Sequence, residues 1–176
     1  MKSHLLLKGL KSYNMSNATL NKEATRAINY KQLKVTSPVF KENEMIPAKY
    51  TCDGVNVSIP LDIKHIPEEA KCLALIVDDP DAPIVVWVHW VVWNIPVTHH
   101  IKENEVHGTE GINDFQQHRY GGPCPPSGTH RYFFKVYALD ALLDLPANTK
   151  KLQLEKAMSE HILAFGELIG LYNRNY

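Results

Sequence analysis

Asp78–Trp90 reads DDPDAPIVVWVHW, and Tyr120–Tyr132 reads YGGPCPPSGTHRY. The first stretch passes from a turn rich in aspartate and proline into the aliphatic and aromatic run Ile84–Ile95. Val85, Val86, Trp87, Val88, Trp90, Val91, Val92 and Trp93 leave neither face of that run polar, which predicts a central β-strand buried on both sides. His89 interrupts it. A buried imidazole costs free energy unless its nitrogens find partners, and Asp79 and Asp81, on the turn just before, are the nearest candidates. The plainer alternative is a core histidine satisfied by one structural aspartate. Pro80 and Pro83 stiffen the turn and remove two backbone donors, and the Ala82–Pro83 bond is a candidate for the cis form.

The second stretch predicts the opposite wall of the same site. Gly121 and Gly122 can bring backbone amides close to a ligand and adopt positive φ, and successive amides of that kind make an anion-binding concavity. Pro123, Pro125 and Pro126 fix the loop before a ligand arrives. On a strand, His130 and Tyr132 face one way and Arg131 the other. Together the two stretches predict one small anion pocket on a β-sheet scaffold.

Outward from these walls the texture stays β-like. LKVTSPVF from Leu33, KCLALIVDD and HRYFFKVYALD are short apolar or alternating runs separated by Pro, Gly and Asp. A helical period returns only over Thr149–Glu167, and ELIGLYNRNY reads as a terminal strand. Strands first and one helix late argue for a mainly β, antiparallel fold rather than alternating βαβ units. Residues 19–33 (TLNKEATRAINYKQL) place Leu20, Ala24, Ala27 and Ile28 on one helical face. The chain thus divides into a basic, partly helical N-terminal extension over residues 1–33 and one domain over residues 34–176.

Composition narrows the function. With 44% apolar and 22% charged residues in 176, the chain can bury a substantial core as one domain. A formal net charge of zero gives no global field for nucleic acid. Charge is nevertheless uneven: residues 1–34 hold seven Lys/Arg against Glu23 alone. No apolar run nears the ~20 residues that span a bilayer, so no integral membrane association is expected. The opening MKSHLLLKGLKSYN is too short in its apolar part for a secretory signal; it can mimic an organellar transit peptide, and Met15 is an alternative start. Cys52, Cys72 and Cys124 make an odd, widely spaced set, read as reduced thiols in a cytoplasmic protein. Cys72 reads as core and Cys52 as a packed turn residue. His161 is placed on the late helix, and His107 and His118 in solvated positions.

Asp79-Pro80-Asp81-Ala82-Pro83, His89-Trp90, the GGPCPPSG loop and His130-Arg131-Tyr132 resemble the signature of the phosphatidylethanolamine-binding protein family. Tyr50–Gly54, Asn113–Phe115, Tyr137–Asp140 and Leu163–Arg174 resemble its bacterial and archaeal Raf-kinase-inhibitor-like branch, so the likeness covers about residues 34–174. The resemblance implies a β-sandwich of a large antiparallel sheet and a smaller one, with few helices. It also implies a cavity for phosphate, acetate or a phospholipid head group, lined by Asp79, Asp81, Trp87, His89, Gly122, Cys124, Pro125, His130 and Tyr132. Family roles are binding roles, so no enzyme activity, no metal and no cofactor are expected, and homodimers occur in the branch. Three departures bear on the ligand. Ile59 replaces a usual proline; the segment between Pro83 and His89 lacks the charged insertion of kinase-regulating members; and the chain ends at Tyr176 without the additional helix that covers a lipid.

The mechanism expected from these residues has Asp79 or Asp81 holding His89 protonated, so that it donates to a small anionic or phosphorylated ligand alongside His130, Tyr132 and the loop amides. On that scheme affinity falls as pH rises through the histidine range. Three rivals use the same residues: a metal-dependent hydrolase built on the Asp/His cluster, although HExxH and CxxC are absent and His99–His100 sit in a polar loop; Cys124 as a nucleophile with His130 as base; and a protein partner, a protease or kinase, bound through the rim.

Overall fold

The computed structural model describes residues 30–174. Among them nine strands form two sheets: β1 (Lys31–Gln32), β2 (Lys34–Thr36), β3 (Leu61–Lys64), β4 (Cys72–Asp79), β5 (Trp87–Ile95), β6 (His100–Ile101), β7 (Thr109–Glu110), β8 (His130–Leu139) and β9 (Ile162–Tyr172). One α-helix, α1 (Lys151–Met158), follows β8. The large sheet runs β1-β9-β8-β4-β5-β7 and the small one β2-β3-β6. Every pairing of these strands is antiparallel except β1 on β9. The mainly β, two-sheet fold with one late helix is the one the sequence predicted.

β4 shows why the central strands are apolar throughout. All eight of its residues are buried. Leu73, Leu75 and Val77 pack toward the small sheet with Ile59, Leu61 and Ile63, whereas Cys72, Ala74 and Ile76 pack toward α1 with Leu154 and Met158. A layer covers each face, so alternation has no polar side to show.

Four local readings change. β5 begins at Trp87; Ile84 and Val85 are 92% and 62% exposed on the preceding turn. The helical period of Thr149–Glu167 splits: α1 stops at Met158, His161 lies in the turn that follows, and β9 takes over at Ile162. Ten register pairs with β8 outweigh a local preference that residues 162–167 could not satisfy on an isolated helix. Gly166 fits this placement, because a Cβ there would collide with the Leu33 carbonyl. The helix expected over residues 19–33 lies mostly outside the described residues; its end, Lys31–Gln32, is a strand on β9, and Leu33 is buried in the core. No peptide bond among the described residues is cis, so Ala82–Pro83 is trans.

Candidate functional site

β4 ends at Asp78-Asp79, and the two carboxylates leave on opposite faces. Asp79 points to the small-sheet side, where its Oδ2 takes a 2.7 Å hydrogen bond from Nδ1 of His130, the first residue of β8. Both side chains are nearly buried. Its Oδ1 accepts the backbone N–H of Asp81 at 2.8 Å, which closes the Asp-Pro turn.

His89 reaches the same side through a β-bulge. Register on β5 runs Val77 opposite Trp90 and then Asp78 opposite Val88, so His89 is the extra residue. A regular strand would send His89 and Trp90 to opposite faces; the bulge lets both face inward. The His89 carbonyl, taken off the ladder, accepts instead from the Gly121 N–H at 3.0 Å and from Asn113 Nδ2 at 3.1 Å. In return His89 Nδ1 donates to the Gly121 carbonyl at 2.6 Å. Burial pushes the His89 pKa below the ordinary imidazole range, with the Gly121 carbonyl and Asp79 opposing that shift only in part. His89 is therefore a neutral imidazole whose Nδ1 carries the proton. The protonated His89 held by an aspartate is overturned: Asp79 partners His130, and burial disfavours the charged ring.

Asp81 and Gly122 stand apart from the cavity wall. Asp81 turns outward and binds Arg131 through Nε at 2.9 Å and Nη2 at 2.7 Å; that guanidinium lowers its pKa to about 2. The Gly122 N–H donates to Asn56 Oδ1 at 2.8 Å, so it is not offered to a ligand. Neither Gly121 nor Gly122 has positive φ, and their smallness serves packing: a Cβ on Gly122 would collide with Asn56 Oδ1 and the Tyr50 carbonyl. The expected concavity of loop amides is thus replaced by amides already bonded to protein.

The other seven predicted residues, Asp79, Trp87, His89, Cys124, Pro125, His130 and Tyr132, line one hollow of about 250 Å³. Ala82, Pro83, Phe115 and Pro126 complete it. Phe115 stands edge-on to both Trp87 and His89, with ring centroids 5.4 Å apart in each case. Its place on the wall depends on Asn113 and Asp114, which bind the β5 backbone at His89 and Val88; the likeness of Asn113–Phe115 to the family branch does not by itself mark Phe115 as a wall residue. Tyr132 is fully buried, and its Oη is a buried polar atom with no hydrogen-bond partner among the described residues. The Cys124 backbone N–H and the Asp79 carboxylate are the polar groups that bear on it. Burial, and then the nearby Asp79 charge, push that phenol far above its usual pKa, so it remains a donor.

The cysteine reading is also corrected. Cys52 and Cys124, 72 residues apart, form a disulfide, and Cys72 is the buried free thiol. Folding brings the 3-10 turn Ala48–Tyr50 and its successor beside the loop, which spacing could not reveal. Cys124 is therefore no free nucleophile in this state, and of the three reduced thiols expected only Cys72 remains. Among the described residues no group of three His, Cys, Asp or Glu side chains is disposed to hold a metal. No described helix is long and apolar enough to cross a membrane. A further hollow of about 220 Å³, between Ile95 and His107, has two of its histidines already paired, His100 with Asp62 and His107 with Glu105.

The family model described as phosphatidylethanolamine-binding protein matches residues 36–173. The chain belongs to the phosphatidylethanolamine-binding protein family. A UPF0098 protein of Pyrococcus abyssi is 50% identical over 153 residues, covering 81% of this chain and 85% of that one. A crystal structure of a homologue of this family from Chlamydia trachomatis superposes with a TM-score of 0.79 at 39% identity, covering 82% of this chain and 99% of that one. Escherichia coli YbcL, described as a member of the mammalian family, gives 0.76 at 29% identity, with coverage of 82% and 99%. The matched segment contains both walls of the hollow.

Proposed function

We propose that the hollow captures a small, singly protonated oxyanion of the phosphate or phosphomonoester type and releases it unchanged. The observation that carries this reading is the Tyr132 hydroxyl, buried and unpartnered beside the His130–Asp79 pair. An orphaned buried donor costs about 1–3 kcal/mol, and a ligand oxygen would remove that cost. In its ion-paired form with Asp79, His130 has a second N–H, on Nε2, to donate. Neutral His89 keeps Nδ1–H on the Gly121 carbonyl, so its Nε2 is the unprotonated, accepting nitrogen. Two donors and one acceptor match an oxyanion that still carries one O–H. Both oxygens of Asp79 already accept hydrogen bonds, from His130 Nδ1 and the Asp81 N–H, so neither faces the ligand unpartnered.

Calorimetric titration with phosphate and sulfate near neutral pH, and with methyl phosphate and sulfate near the monoester's second pKa of about 6, where its protonated form is well populated, tests this. Phosphate and methyl phosphate are expected to bind at least tenfold more tightly than sulfate, which has no proton for His89. Equal affinity for sulfate, or none for any of them, overturns the reading. A second reading, a protein partner at the rim, draws support from the exposed Ile84–Val86 turn beside Pro83. Pull-down with and without Ile84→Ser/Val85→Ser tests it; identical captured proteins count against it.

A further inference from the structure

The Cys52–Cys124 bond is not used by the binding scheme, although Cys124 is part of the cavity wall. Up to Pro123 the loop is held many times over: Tyr120 Oη donates to the Tyr50 carbonyl, Gly121 N–H to His89, Gly122 N–H to Asn56, and Pro123 accepts from Cys52 N–H. After Pro123 these ties stop. From Cys124 to Thr129 the described ties are the disulfide, the Cys124 backbone N–H beside the Tyr132 hydroxyl, and one long 3.4 Å bond from Asn173 to Thr129, until His130 enters β8 opposite Tyr172. Pro125 and Pro126, both on the wall, lie inside that span. Both cysteines are partly exposed, so a small dithiol can reach the bond.

We propose that this disulfide is a redox gate on the anion hollow. Two-electron reduction by a dithiol breaks the S–S bond, leaves a thiol on each cysteine and converts the dithiol to its own disulfide. The segment Cys124–Thr129 then has no covalent tie to the Cys52 turn, and the wall made by Pro125 and Pro126 loosens. His130 stays on β8 and His89 on β5, so the polar groups persist while the enclosure that orders them is lost. The oxidised state binds and the reduced state releases.

The inference rests on the anion reading for its ligand, and the experiment separates the two. Oxidised and dithiothreitol-reduced protein are compared by hydrogen exchange over the loop and by phosphate titration, with Cys52→Ser as a bond-free chain whose wall residues are unchanged and Cys72→Ser as a control. Expected are faster exchange at residues 124–129, at least tenfold weaker phosphate binding on reduction, reversal on reoxidation, the same values in Cys52→Ser without reductant, and unaltered sensitivity in Cys72→Ser. Should Cys52→Ser fail to fold, the wild-type pair decides alone. Unchanged loop exchange overturns the gate, and so does a loosened loop with phosphate affinity intact. If oxidised protein binds no phosphate while reduction still frees the loop, the redox-controlled wall stands and the phosphate reading falls.

Discussion

Asp78 and Asp79 are neighbours on one strand, both buried, and they do different work. Asp78 faces α1 and is saturated: Lys135 reaches it at 2.8 and 2.9 Å and Lys151 at 2.6 Å. Asp79 faces the hollow, where it holds His130 beside a hydroxyl that has no partner. A polar cluster whose members are all paired supports the fold, as the first does in fastening helix and β8 to β4. One that leaves a donor spare is equipped to take a ligand. The contrast lies in what remains unpaired on each face, since the residue types on the strand are the same.

The largest expected effect breaks the saturated side. Lys135→Met with Lys151→Met leaves the Asp78 charge buried without compensation and should cost about 3–5 kcal/mol in urea unfolding. A loss below about 1 kcal/mol would mean that Asp78 is not held as a charge by these lysines. On the other face, Tyr132→Phe should leave stability unchanged or slightly higher, because an unsatisfied hydroxyl is removed. Phosphate affinity should nevertheless fall by about one to two orders of magnitude, the value of a hydrogen bond to a charged group. If instead stability falls and affinity holds, the hydroxyl is structural and the two faces do not differ in kind.

A smaller effect concerns acid. His89 has its pKa lowered by burial, so below the unfolded value the unfolded chain binds a proton that the folded one refuses. Stability from this group is complete above about pH 6.5 and is lost as pH falls below it, by up to about 1.4 kcal/mol per pH unit. His89→Asn, which keeps a donor for Gly121, should flatten the slope of unfolding free energy between pH 7 and 5; an unchanged slope assigns it to other groups. The smallest effect is expected outside the hollow. Asp81→Asn breaks an exposed pair with Arg131 and should change stability by less than about 1 kcal/mol. Its effect on phosphate affinity should be smaller than that of Tyr132→Phe, and a larger one would return Asp81 to the site.

The apolar runs at residues 72–77 and 87–95, with turns between them and a single helical period late, dictated a layered β fold, because strands covered on both faces tolerate no polar side. The chemistry-bearing residues were also legible, since imidazoles and carboxylates inside such runs need partners. Their pairing was not. Strict alternation would have turned His89 away from Trp90; only the bulge opposite Asp78 brought it to the hollow, and a bulge is set by cross-strand register rather than by neighbours in the chain. The Cys52–Cys124 bond and the choice of His130 by Asp79 join residues 72 and 51 positions apart. Contacts of that span exist only once the sheets have packed, which is why tertiary structure alone decided which groups were satisfied and which hydroxyl was left free.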